Sequence, residues 1–195
     1  MKDTVTSVLQ PDIEQLKDEL QRERHKKRLR KVLSSTIYTL AIVAAFAILT
    51  AVLWMQVLRI YGTSMTPTLN EGNIVVAVKG GKCRHGDVVG VYYGSKLLVK
   101  RCIATAGEWV NIDEKGNVYV NNELQDEPYL KEKAQGECDI DLPYQVPEDT
   151  IFVMGDHRAT SIDSRNRSLG CINREDVVGR ILFRIWPLSK MDFVD

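Results

Sequence analysis

Histidine is scarce in this chain, three in 195 residues, and neither sign of charge prevails, with 26 Lys and Arg against 26 Asp and Glu. The balance is uneven along the chain. Residues 1–33 carry nine basic against six acidic side chains, leaving seventeen against twenty in the remainder. The larger part is therefore mildly acidic, which excludes a basic surface for nucleic acid. No repeat or low-complexity tract is present, and 44% hydrophobic with 27% charged residues is the composition of a folded protein. Metal ligands are also wanting. Cys83-x-His85 has no second ligand pair at zinc-site spacing, so neither a metal nor another cofactor is expected. The four cysteines are Cys83, Cys102, Cys138 and Cys171. Their spacing identifies no pair and leaves disulfides and free thiols equally open.

Charge is missing altogether over one long stretch. Between Lys31 and Arg59 the only ionisable side chain is that of Tyr38. A bilayer core of about 30 Å needs roughly 20 apolar residues in a helix, so a transmembrane helix is expected over residues 34–58. A cleavable leader fits less well, because its apolar region is shorter and its preceding segment brief. Arg22, Arg24, Lys26, Lys27, Arg28, Arg30 and Lys31 crowd the near side, and Arg59 stands alone beyond. The positive-inside bias keeps residues 1–33 cytoplasmic and sends residues 60–195 across the membrane, a single-pass type II arrangement. Residues 11–31 read as a helix with Ile13, Leu16 and Leu20 on one face.

Beyond Ile60 the pattern changes to short, β-branched runs divided by turn residues. Ile74–Val78, Val88–Tyr93, Leu97–Ala104, Trp109–Ile112, Asn117–Val120, Thr150–Met154 and Val177–Ile185 read as strands. Asp113-Glu114-Lys115-Gly116 reads as a hairpin turn between two of them. No helix-length periodic segment intervenes. The expected fold is mainly β, over residues 60–195, with a smaller insertion near 108–148.

Three segments offer chemistry. Gly62-Thr63-Ser64-Met65-Thr66-Pro67 follows the apolar run directly and holds a candidate nucleophile, Ser64, although an unactivated hydroxyl attacks poorly. His25 falls on the wrong side of the membrane to activate it, while His85 and His157 stay eligible as loop residues. A lysine serves as base only when neutral. At a reference pKa near 10.4, about one amine in a thousand is neutral at pH 7.4, and a shift of about three units requires roughly 4 kcal/mol of destabilisation of the cation. Lys100 alone among the lysines interrupts a strand-like run, sharing one face with Leu98 and Cys102, where burial would supply that shift. The residues alone leave open an edge strand whose Lys and Arg reach solvent. The third segment runs from Gly155-Asp156-His157-Arg158 to Ser161-Ile162-Asp163-Ser164-Arg165. An Asp163–Arg165 pair there could lock the loop while Ser161 reaches a neighbouring amine.

Together Ser64-Met65-Thr66-Pro67-Thr68-Leu69, Lys100-Arg101, Gly155-Asp156-His157-Arg158 and Ser161-Ile162-Asp163-Ser164-Arg165 resemble type I signal peptidases in content, order and spacing, with Gly86-Asp87-Val88-Val89 matching a further strand. The resemblance runs from the apolar segment to about Arg184. It implies an antiparallel β-sheet catalytic domain at a bacterial plasma membrane, acting as a serine endopeptidase. Ser64 would be the nucleophile and Lys100 the general base. Ser161 would orient the lysine, with Asp163, Arg165 and Gly155 bracing the loop. The implied partners are signal peptides of secreted preproteins, the lipid bilayer and the secretion machinery. Cleavage would follow small residues in an A-x-A-like pattern. The chain departs from the family in three places: Gly62 stands where some relatives place an oxyanion-binding hydroxyl, His157 where asparagine is usual, and Cys102-Ile103-Ala104-Thr105-Ala106-Gly107 where the family has a Val/Ile-Gly-Leu-Pro-Gly run. A self-cleaving repressor of similar fold would need a DNA-binding N-terminus instead of an apolar span. A dedicated peptidase for surface structures such as pili, and an inactive tethered β module, are the other readings to weigh.

Overall fold

β-Branched and small apolar residues at Ile74–Val78, Val88–Tyr93 and Thr150–Met154 form strands at those same residues, since such side chains pack well on a pleated surface. The computed structural model describes residues 13–194. In chain order it comprises helix α1 (Ile13–Trp54) and strands β1 (Met55–Arg59), β2 (Ile74–Val78), β3 (Val88–Tyr93), β4 (Lys96–Thr105), β5 (Trp109–Ile112), β6 (Val118–Val120), β7 (Glu123–Leu124), β8 (Tyr144–Gln145), β9 (Thr150–Met154), β10 (Ile172–Asn173), β11 (Val177–Trp186) and β12 (Asp192–Phe193). The chain divides into two units between Leu53 and Trp54.

The first unit is α1. It is long and apolar enough to cross a membrane, and its described side chains are exposed. That exposure leaves its apolar surface unburied by protein, as a lipid-facing helix requires. Pro11 and Asp12 of the expected N-terminal helix, with the rest of residues 1–12, lie outside the described residues. The helix stops short of the expected boundary at Leu58. Met55–Arg59 instead pair antiparallel with β2, Met55 opposite Val78 and Arg59 opposite Ile74. Uninterrupted apolarity does not separate a helix from a strand that follows it, and the ladder with β2 decides the matter. Val32–Trp54 alone is still about 23 residues, roughly 34 Å of helix.

The second unit is two antiparallel sheets. The larger runs in the order β1-β2-β11-β3-β4-β9-β10, with β12 added to β11. The smaller, β7-β6-β5-β8, is built from strands between Trp109 and Gln145. Its β5–β6 turn is fixed by Asp113, whose Oδ1 accepts the backbone N–H groups of Lys115 (2.9 Å) and Asn117 (2.8 Å). One core cluster, around Met65, Leu69, Val75, Val88 and Ile181, lies under the loop that carries Ser64. A second, around Val89, Val91, Cys102, Ile151 and Val153, receives Leu98. Leu98 and Cys102 thus share an apolar face of β4, while Val99 between them packs into the first cluster. Period-two alternation accounts for that division.

Candidate active site

Ser64 sits on the loop between β1 and β2. Its neighbour Met65 is buried, as is Leu69, and the Leu69 N–H donates to the Met65 carbonyl at 2.8 Å. These two side chains pin the loop to the core while Ser64 stays half-exposed. The Ser64 carbonyl accepts the His157 backbone N–H at 3.0 Å, which ties this loop to the segment after β9.

Lys100 lies in β4 opposite Val89 of β3 and is 3% exposed. Nζ donates to Ser161 Oγ at 2.7 Å. Burial lowers its pKa to about 8, helped by the Arg165 charge and opposed by Asp163 and Asp156. At that value half the amines are neutral at pH 8, against about one in three hundred for an unperturbed lysine. Ser64 and Lys100 line one cleft of about 370 Å³, between Val57–Tyr61 and Leu97–Val99. The hydrogen bond of the amine goes to Ser161, not to Ser64.

Ser161, Asp163, Ser164 and Arg165 are buried, and Ile162 among them is exposed. Arg165 donates to both Asp163 oxygens, Nε to Oδ1 and Nη2 to Oδ2, each at 2.8 Å. Asp163 Oδ2 also accepts the Gly155 N–H at 2.9 Å. Burial raises the Asp163 pKa, but the Arg165 charge and these hydrogen bonds outweigh it and the net shift is downward. A Cβ added to Gly155 would press against Ser161 Oγ and the Ser64 carbonyl oxygen. Glycine is thus required where the Ser64 loop and the Ser161 loop approach most closely. The imidazoles of His85 and His157 are engaged elsewhere, His85 with Glu108 at 2.7 Å and His157 Nδ1 with Thr160 Oγ1 at 2.9 Å.

A further cluster escaped the reading of the sequence. Arg101, next to Lys100, donates to Asp156 Oδ1 at 2.9 Å and Oδ2 at 2.8 Å, and to the Gly86 carbonyl at 2.6 Å. Thr68 Oγ1, on the Ser64 loop, donates to the same Asp156 at 2.5 Å. The Tyr129 ring covers the Arg101 guanidinium at 3.7 Å. Glu127 pairs with buried Arg158. Asp156 therefore joins all three segments of the site, and the stretch around Glu127 shields the junction. The signal was available, since an arginine among apolar strand residues needs a buried acceptor. Its partner lay 55 residues on and no local pattern pointed there. Among the described residues all four cysteines are free thiols, and no group of side chains is arranged to hold a metal.

Residues 33–186 match the family described as signal peptidase, peptidase S26. The chain is 28% identical to signal peptidase I U of Bacillus subtilis over 177 residues, covering 85% of this chain and 94% of that protein. It is 31% identical to signal peptidase IB of Staphylococcus aureus over 186 residues, covering 85% and 95%. Against thylakoidal processing peptidase 1 of Arabidopsis thaliana the identity is 34% over 146 residues, covering 66% of this chain and 41% of that protein. The crystal structure of a signal peptidase I from Enterococcus faecalis superposes with a TM-score of 0.44 at 25% identity, covering 51% of this chain and 97% of that one. The sequence matches define an enzyme class, the serine endopeptidases. The chain belongs to the signal peptidase family, peptidase S26.

Proposed function

We propose that this protein removes signal peptides from exported preproteins, with Ser64 as nucleophile and neutral Lys100 as general base. One observation carries the reading: a buried amine with a pKa near 8 lines the same cleft as the Ser64 hydroxyl. A neutral amine has two N–H donors and one lone pair. The donor to Ser161 Oγ fixes the side chain and leaves the lone pair for the Ser64 proton. Ser64 Oγ then adds to the scissile carbonyl, and the carbon–nitrogen bond breaks as Lys100 returns the proton to the departing amine. Water next gives a proton to Lys100 and adds to the ester, and the ester bond breaks as Lys100 passes that proton to Ser64 Oγ, which restores the hydroxyl and the neutral amine. The Ser64 N–H serves the oxyanion, and Gly62 brings no side chain to help. Asp163 and Arg165 hold the Ser161 loop.

The substrate reading has structural support. β9 begins its pairing with β4 at Arg101, so the backbone of Leu97–Lys100 facing away from β3 has no ladder partner among the described residues. An extended peptide laid in the cleft would pair there, placing small side chains of an A-x-A-like site beside Ser64. Helix α1 anchors the enzyme in the plasma membrane of a bacterium. The N-terminus stays cytoplasmic and the catalytic unit lies outside, where the bilayer and the secretion machinery deliver preproteins.

The test is processing of a labelled preprotein by the purified full-length enzyme, with N-terminal sequencing of the product. The mature N-terminus directly after Ala-x-Ala is expected from the wild type, and no product above background from Ser64→Ala. Cleavage elsewhere, or substantial cleavage by Ser64→Ala, would sink the assignment. Ser161→Ala should lower turnover about 10- to 100-fold and move the rise of the pH–rate profile to higher pH. The truncation admits water to Nζ and relieves the burial that depresses the lysine pKa. An unchanged profile would count against the positioning role.

A further inference from the structure

A second cleft, of about 410 Å³, opens at the β2–β3 turn and shares no lining residue with the Ser64 cleft. Its walls carry four cationic side chains, Lys82, Arg84, Arg174 and Arg180, and one carboxylate, Asp87. That carboxylate is committed: Oδ1 accepts Arg180 Nη1 at 3.1 Å and Oδ2 accepts the Arg84 backbone N–H at 2.9 Å. Glu175 and Asp176 follow Arg174 in sequence but do not line the cleft. The side chains of Lys82, Arg84 and Arg174 stand exposed, and their charges are in no ion pair among the described residues. Such a concentration of positive charge runs against the balance of the chain past residue 33 as a whole, where acidic side chains outnumber basic ones, twenty to seventeen.

Its position is equally specific. Val78, in the cleft wall, pairs with Met55, and the Lys79 N–H donates to the Trp54 carbonyl at 2.9 Å. Trp54 is the last residue of α1. The cationic turn therefore stands beside Trp54, where the helix ends. If α1 spans the bilayer, as the proposed function has it, this is the depth of lipid phosphates.

We propose that the cleft binds the phosphate of an anionic phospholipid headgroup. Guanidinium groups offer paired donors matched to phosphate oxygens, and the lysine adds a mobile point charge. Val78, Val177 and Leu182 give the same cleft apolar wall for the glycerol and first methylenes. A headgroup fills the enclosed volume, whereas a nucleic acid strand or an acidic peptide would extend well beyond it. Each basic residue near an anionic surface contributes about a fivefold gain in affinity, so the three free cations supply about a hundredfold.

The full-length protein in neutral detergent micelles doped with phosphatidylglycerol provides the test, with retained lipid counted by native mass spectrometry. Wild type should retain phosphatidylglycerol in preference to phosphatidylcholine of the same chain length. Lys82→Gln/Arg84→Gln/Arg174→Gln should lose that retention at least tenfold, and the charge-keeping Arg84→Lys/Arg174→Lys should recover most of it. Equal retention by wild type and the triple variant, or no preference over phosphatidylcholine, would overturn the proposal. So would displacement of the lipid by millimolar inorganic phosphate, which would make the cleft a site for a soluble anion. Cleavage of a soluble peptide, measured in the same samples, should be unchanged in the triple variant. Its absence from both proteins would fail the peptidase reading and leave the lipid result standing.

Discussion

Lys100→Met is expected to fold, to cleave preprotein at least about a thousandfold more slowly, and to be more stable than the wild type at neutral pH. The loss of rate follows from removing the proposed base, the only lysine or histidine among the described residues that line the Ser64 cleft, since general bases contribute about 10²- to 10⁴-fold and units acting with a nucleophile more. The gain in stability follows from the lysine pKa. The folded protein holds this amine at about 8 against 10.5 in the unfolded chain, because burial disfavours the cation. Below about pH 8 both states are protonated and the folded state carries the whole penalty, up to about 3 kcal/mol. As pH rises from 8 to 10.5 the folded protein releases its proton first, and the penalty fades. Methionine keeps the length of the side chain without the charge and forfeits the hydrogen bond to Ser161, a cost of about 1 kcal/mol. Denaturant unfolding at pH 6.5 and pH 10.5 should therefore show the variant ahead at the lower pH and level or behind at the higher. A variant less stable at both pH values would mean that the amine is not strained by burial. Activity above a few per cent of wild type would remove Lys100 from the chemistry.

The same balance explains which parts of the site were legible in the sequence. Lys100 could be picked out because a cation in the middle of Leu97–Ala104 conflicts with an apolar strand, and such conflicts mark functional positions. The strands of the larger sheet were legible for the complementary reason, that the short β-branched apolar runs Ile74–Val78, Val88–Tyr93 and Thr150–Met154 are bounded by turn residues and too brief for a helix. β1 was not legible, because the apolar run passes from helix to strand with no charge or turn residue at Trp54–Met55, and only the ladder with β2 marks the change. The two-residue strands β7, β8, β10 and β12 are too short to carry a period. Arg101–Asp156, Glu127–Arg158 and Tyr129 over Arg101 join segments far apart in sequence, so their partners could be found only in three dimensions. His85 and His157 illustrate the opposite case. Their residue type suggested catalysis, and their rings prove to be held by Glu108 and Thr160.

Asp163→Asn and Arg165→Met should both destabilise the enzyme while moving its pH–rate profile in opposite directions. The pair is buried, with two hydrogen bonds of 2.8 Å between its members. Removing either charge leaves the other uncompensated in a dry setting, a cost of about 3–5 kcal/mol. The Asp163 charge favours protonated Lys100 and the Arg165 charge disfavours it. Asp163→Asn should accordingly lower the lysine pKa further, so residual activity appears at lower pH. Arg165→Met should raise it, so activity appears at higher pH. The depressed Asp163 pKa adds an acid limb to stability, in which its contribution is present above the usual aspartate value and is lost as pH falls through the lower folded one. Asp163→Asn should lack that limb. The double variant removes both charges, so it should regain stability over either single variant and return the profile toward the wild-type position. Profiles that shift together, or a double variant no more stable than the singles, would show that Asp163 and Arg165 act on the loop by shape alone and not through the charge felt by the lysine.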